Sequence, residues 1–277
     1  MKWSNHGKSS RRSFLRKSGA FATASIVGAS VVGTVAASSS ISAEEAGIAD
    51  EVTQLLHDNE VLSAVSLLED NNVQHQHIRQ FEPADDGTTT NESGSGGAST
   101  QDFYVKSKSS MDLVTYNAGG NEPKYGTYWD LVRENADYDG PKPEDVAVLA
   151  FDNTHFDYVV GSVNHGGQLG DGSIYDDQTN LLTWPSKANA EYRDRAVVSF
   201  NDGDAQVKDA SGYLEMNVTT GSGTSWLSAN YTHTWSFTNT AQWGDILDAI
   251  SIALGGTISV SPPDTADSWE LNDEVVA

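Results

Sequence analysis

The chain has 277 residues, with 16 Lys and Arg against 39 Asp and Glu, a formal charge of −23 and no cysteine. Without a thiol it builds neither a disulfide framework nor a thiolate metal site. The cations beyond residue 43 are scattered rather than clustered, so no face offers itself to a nucleic acid.

The first element is Ser10-Arg11-Arg12-Ser13-Phe14-Leu15-Arg16-Lys17, followed by an apolar run at 19–37. All the early charge is basic and precedes the run, and no acid occurs before Glu44. The run is rich in Ala, Ser, Thr and Gly, which makes a poor membrane anchor, so the processed chain is expected to carry no transmembrane span. Arg11 and Arg12 then read as an export signal whose partner is the twin-arginine translocase. Small residues at Val35-Ala36-Ala37 and at Ser42-Ala43 offer two cleavage points, and the leader is assigned to residues 1–43.

Processing removes six basic residues and no acidic one, so ten cations face 39 acids and the charge becomes −29. Molar salt screens such a charge within about 3 Å, and dense carboxylates keep the surface hydrated there. The composition therefore favours a halophilic protein. The leader is similar to those of proteins exported by the twin-arginine route in halophilic archaea, which use it for most of their secreted proteins. That resemblance is confined to the leader and the acidic composition. It implies export after folding and a secreted or cell-surface location, and it implies nothing about activity.

Beyond the leader, Ile48, Val52, Leu55 and Leu56, then Leu62, Val65 and Leu68, recur at helical spacing. They predict two short helices between residues 47 and 70, the second capped by Asp58 or Asn59. Residues 73–82 alternate as a strand that ends at Pro83. Residues 83–101 have no apolar residue able to offset the cost of ordering, and read as a disordered linker or a long loop. This divides the chain into the leader at 1–43, a helical pair plus strand at 44–82, the linker at 83–101 and a β-rich domain at 102–277. Alternatively, strands at 73–81 and 103–108 pair across the linker, which makes it an insertion within one domain.

Further along, short strands are expected at 103–108 and 112–117, joined at Ser109-Ser110, and a helical turn at 128–135. A nearly all-apolar strand at 146–151 reads as central, and one at 156–163 is closed by Asn164-His165-Gly166-Gly167. Strands follow at 196–200, 213–219 and 226–237. Ile250 and Ile252 alternate up to Gly255-Gly256, and Ile258 and Val260 alternate away, as in a two-residue hairpin. A helix over 246–254 competes with that hairpin. Strands at this spacing, separated by Gly and Asp turns, predict a mostly β chain: an antiparallel sandwich-like C-terminal domain after a short helical pair, α+β overall.

No constellation selects a chemistry. His75 and His77 lie two apart on one strand face, the spacing of a shared metal, but no third ligand is evident. Asn201-Asp202-Gly203-Asp204 with Asp209, and Asp171, Asp176 and Asp177, are oxygen-rich, yet acids this dense read first as hydrated turns. His155, His165 and His233 have no spacing that picks out a triad, and G-x-S-x-G, H-E-x-x-H, P-loop and dinucleotide motifs do not occur. No catalytic residue, metal or cofactor is therefore assigned. Trp226, Tyr231 and Trp235 would form a ligand platform if exposed, whereas alternation of Tyr231, His233 and Trp235 on one face argues for core. Asn217 and Asn230 match the N-glycosylation pattern, as does Asn91 in the linker.

The expectation is an exported, non-enzymatic surface or extracellular interaction protein. A secreted hydrolase with a dispersed Asp, His and Ser site is the alternative. A precursor of a secreted antimicrobial protein is a weaker one, because the cysteine-rich tail of that type is absent.

Overall fold

The computed structural model describes residues 41–80, 108–120, 122–132, 144–169, 173–174, 179–185, 192–200, 209–220, 225–235, 244–264 and 266–276. Arg11 and Arg12, the segment 83–101, the acidic residues Asp171, Asp176 and Asp177 and the turn at 201–204 lie outside the described residues. Helices α1 (Ala49–His57) and α2 (Val61–Asp70) form where the apolar spacing predicts them. Asn59 does not cap the second helix; it ends the first, with a φ of 59°. The Asn59 amide donates to Leu56 O and the Glu60 amide to Leu55 O, so the last carbonyls of α1 are satisfied by a left-handed residue. Asn72, at φ 56°, ends α2 in the same way, with Val73 donating to Leu68 O. Asparagine tolerates this conformation better than most residues, and both helices therefore stop on one.

Fourteen strands follow among the described residues. They are β1 (His75–Gln80), β2 (Ser110–Tyr116), β3 (Lys124–Val132), β4 (Asp145–Phe151), β5 (Phe156–Tyr158), β6 (Asn164–Leu169), β7 (Ser173–Ile174), β8 (Thr179–Thr183), β9 (Arg195–Phe200), β10 (Asp209–Thr220), β11 (Trp226–Trp235), β12 (Ile250–Ile252), β13 (Ile258–Val260) and β14 (Asp267–Val276). One sheet has the order β1-β2-β3-β10-β6-β7, with β5 pairing the far end of β10; the other has the order β14-β11-β4-β9-β8. Every ladder between named strands is antiparallel. Strand β1 hydrogen-bonds along its length to β2, from His75 opposite Tyr116 to Gln80 opposite Met111.

Several of the expected elements differ. Where a helical turn was expected at 128–135, residues 128–132 are instead part of β3, and 133–135 lie outside the described residues: Tyr125, Thr127, Trp129 and Leu131 face the other sheet side by side, and β2 and β10 satisfy the backbone on both edges. Paired neighbours on both sides outweigh a weak local helical period. The strand expected at 156–163 is only the three residues of β5, and Asn164-His165-Gly166-Gly167 opens β6 rather than closing a pair. Ser110 is the first residue of β2 and not part of a turn. The hairpin of β12 and β13 forms, but its loop is longer than two residues: Ala253 N donates to Thr257 O across Leu254, Gly255 and Gly256. Strand β14 was not anticipated from the sequence, although Trp269, Leu271 and Asp273 alternate inward along it.

The two sheets enclose the main core. Met111, Leu113, Trp129, Leu214 and Met216 from the first meet Leu149, Phe151, Phe200, Tyr231 and Leu271 from the second. Trp129 lies at its centre, 5.0 Å from the Tyr231 ring and 5.8 Å from Phe200. Gly212 lets it lie there, because a Cβ at that position would come within 2.4 Å of the indole. Two outer layers complete the arrangement. The helical pair buries Val52, Leu56, Val61 and Leu68 against Val114, Tyr116 and Tyr128 of the first sheet. The β12–β13 hairpin covers Val146, Val148, Ala150 and Val197 of the second. Both faces of β4 are thus covered, which is why it reads as one unbroken apolar run.

Candidate functional site

The residues of the aromatic strip do not share a surface. Tyr231 is fully buried and stacks on Trp129, whereas Trp226 faces the other way, half-buried beneath the β12–β13 hairpin. Trp235 is the last residue of β11, and its side chain lies outside the described residues. Asn230 is also inside the fold. It is fully buried, and its amide donates to Asn272 Oδ1 at 2.6 Å, which leaves no room for a glycan on the folded chain. Asn217 is half-buried on β10, where its backbone amide donates to Ser162 Oγ at 2.9 Å.

His75 and His77 share a face of β1 but serve separate contacts. His75 Nδ1 lies 3.0 Å from Val73 O, and His77 Nε2 lies 2.6 Å from Asp112 Oδ1. Among the described residues no group of three His, Asp or Glu side chains has the geometry of a metal site.

Two Asp–His contacts bear on hydrolysis. Asp145, at the head of β4, accepts from Tyr231 OH and from Thr234 N at 2.8 Å, and lies 2.9 Å from His233 Nδ1. Asp145 and His233 are each 0% exposed, so no substrate reaches the pair. Asp152, in the turn after β4, gathers Ser225 Oγ, Thr154 Oγ1 at 2.6 Å and His155 Nδ1 at 2.8 Å. What burial it has would raise its carboxyl; the hydrogen bonds from Ser225, Thr154 and His155 hold it below the usual carboxylate range. The order is wrong for nucleophilic catalysis: the serine donates directly to the aspartate, and the imidazole lies on the aspartate rather than on the serine. His165, the third histidine of the sequence reading, lies 2.7 Å from Thr179 Oγ1.

The densest polar cluster was not visible in the sequence. Glu215, on β10 and 1% exposed, accepts from Lys124 Nζ at 2.7 Å, Asn164 Nδ2 at 3.2 Å and Tyr128 OH at 3.1 Å, with His57 Nε2 at 3.1 Å. Strand pairing brings these together, since Glu215 lies opposite Gly126 on β3 and opposite Asn164 on β6. The glycine is required, because a Cβ at 126 would meet Tyr128 OH at 2.7 Å and Glu215 Cβ at 2.9 Å. Burial alone would raise the Glu215 carboxyl, but the His57 contact and the charge and hydrogen bond of Lys124 hold it down to about 2. His57, the last residue of α1, stacks on Tyr213 at 4.0 Å, so the cluster pins the helical pair to the sheet. The sequence signal was a glutamate set between Leu214 and Met216 on an otherwise inward-alternating strand.

A pocket of about 260 Å³ opens at the end of the sandwich where β1 begins and β2 ends. Its apolar floor is Phe156, Val218, Leu227 and Pro123, and Gln74, Gln76, Thr115 and Asn117 line it with amides and a hydroxyl. Among the described residues no carboxylate, lysine or arginine lines it. His75 and Tyr116 are its titratable members. The imidazole is turned to Val73 O and Glu69, and burial keeps the Tyr116 phenol neutral by raising it well above its ordinary value. The Asp145–His233 pair is six residues away along β4 and β11, about 20 Å at the rise of a strand.

No family model and no curated protein matches the chain. Among solved structures it is similar to the collagen-binding subdomain of the Enterococcus faecalis surface protein ACE, at 9% identity and a TM-score of 0.29 over 57% of this chain and 88% of that one. It is also similar to the collagen-binding domain of a Staphylococcus aureus adhesin, at 8% identity and a TM-score of 0.26 over 53% of this chain and 86% of that one. The C-terminal domain of the Streptococcus pyogenes antigen I/II-family protein AspA follows at 16% identity and 0.26, over 51% of this chain and 53% of that one. At this level of likeness nothing that those proteins bind is carried over.

Proposed function

We propose that the chain is an exported halophilic protein, similar in its leader to the twin-arginine substrates of halophilic archaea, that acts by binding at the cell surface or in the medium rather than by turnover. The observation that carries this reading is the pocket. In a chain with 39 acidic side chains, the described lining is mostly amide, hydroxyl and apolar, with the His75 imidazole turned to Val73 O and Glu69 and the Tyr116 phenol kept neutral by burial. Such a lining recognises an uncharged group with an apolar face and hydrogen-bonding edges, which favours binding over turnover.

The export part rests on Arg11 and Arg12, and the salt habitat on the −29 of the processed chain. The test compares two assays on the protein purified in molar KCl. Saturable association with intact cells, with no dose-dependent cleavage of ester, peptide or glycoside substrates, is expected. Dose-dependent cleavage that disappears in Asp152→Asn would replace binding by the hydrolase reading.

A further inference from the structure

Two points along the leader carry small residues suited to signal peptidase, after Ala37 and after Ala43, and the fold distinguishes between them. Residues 41–45 are built into the protein. Ala43 is 0% exposed and Ser42 is 3% exposed. The Ala43 amide donates to Asn117 O at 2.9 Å and the Glu44 amide to Ala118 O at 3.0 Å, which ties both sides of the 43–44 bond to the chain leaving β2. Ser42 and Glu45 hold each other reciprocally: Ser42 N and Oγ donate to Glu45 Oε2 at 2.9 and 3.0 Å, and Glu45 N donates to Ser42 Oγ at 3.1 Å. Ile48 N reaches back to Ala43 O, and Ile41 bridges Val73 in parallel.

A peptidase takes its substrate as an extended segment, so cutting after Ala43 would first require all of these contacts to open. A chain exported after folding meets the peptidase with them closed. Cleavage at a protected bond is then slowed by the ratio of closed to open forms.

We infer that signal peptidase cuts this chain after Ala37, hydrolysing the Ala37–Ser38 bond with one water to leave a carboxylate on Ala37 and an amine on Ser38. Residues 41–45 are part of the working protein and not of the leader. The inference rests on reading the N-terminal segment as a twin-arginine leader, and it moves the boundary of that leader upstream of the 1–43 expected from the sequence. The charge of the processed chain stays at −29, because residues 38–43 carry no charged side chain.

The experiment is N-terminal sequencing and intact mass of the full-length gene product recovered outside the cells of a haloarchaeal host. An N-terminus at Ser38 is expected, and Ala37→Leu should make the unprocessed precursor accumulate. An N-terminus anywhere from Ser42 to Glu45, unprocessed exported chain, or unchanged processing in Ala37→Leu overturns the inference. Arg11→Lys with Arg12→Lys is run in parallel to separate the two claims. Undiminished secretion of that variant refutes the export route, whereas the N-terminus of the secreted chain alone decides the cleavage point.

Discussion

Replacing Asp273 by Asn should make the protein more stable at neutral pH and remove most of its sensitivity to pH between about 4 and 7. Asp273 occupies an inward position on the edge strand β14, opposite Ala229, and is 8% exposed, with Oδ2 lacking a hydrogen-bond partner. Burial, reinforced by the charge of Asp112, raises its carboxyl from the ordinary 3.8 to about 7. The folded chain therefore keeps this proton up to about pH 7, while the unfolded chain releases it near pH 4. Stability from the protonated form is complete below the unfolded value and is lost as pH rises through the folded one. At 1.36 kcal/mol per pH unit, a span of about three units amounts to about 4 kcal/mol by pH 7. The amide of Asn cannot ionise, so Asp273→Asn avoids that loss. Guanidinium unfolding of both proteins at pH 4, 5.5 and 7 in constant molar KCl reads the difference. The two curves should converge at pH 4 and separate by several kcal/mol at pH 7; parallel pH profiles would refute the reasoning.

The other perturbations fall on different parts of the molecule. Glu215, whose carboxyl is held from 4.5 down to about 2, contributes stability that is present above about pH 4.5 and lost as pH falls towards 2; Glu215→Gln should flatten that acid limb in the same titration. The same variant breaks a buried charge pair and should cost about 3 to 5 kcal/mol, with hydrogen exchange rising first in α1 where His57 docks. Trp129→Ala should cost about 3 to 5 kcal/mol by opening a cavity between the sheets, read as a lowered unfolding midpoint. With −23 on the full chain, and −29 if the leader is removed, the melting temperature should climb as KCl rises from 0.1 M to above 1 M, where the screening length falls from about 10 Å to about 3 Å.

What the sequence made legible is what local periodicity controls. The two helices, the all-apolar β4 and the β12–β13 hairpin each follow from residues adjacent in the chain. Where partners distant in sequence decide, local reading failed. Residues 128–132 have helical spacing of apolar groups, yet ladders to β2 and β10 hold them extended. Asn164-His165-Gly166-Gly167 looks like a turn because of its glycines, but those glycines make room for the Tyr213 ring and for Phe200 across the sandwich. The Glu215 cluster was beyond reach for the same reason. His57, Lys124, Tyr128 and Asn164 come from one helix and two strands and meet Glu215 on a third, and no spacing along the chain relates all of them. The aromatic strip was partly legible, since alternation placed Tyr231 inside, where it stacks on Trp129.

The central claim is that this protein binds through the pocket at the open end of its sandwich, and occluding that pocket tests it most directly. Gln74 is exposed at the pocket's edge, and its backbone carbonyl accepts from Asn117 N, so Gln74→Trp should block the opening without disturbing the core. Labelled protein is titrated onto intact cells in molar KCl, with wild type and variant first shown to have equal unfolding midpoints. The account predicts saturable binding by the wild type and at least a tenfold weaker isotherm for Gln74→Trp; superimposable isotherms from two equally stable proteins would contradict it.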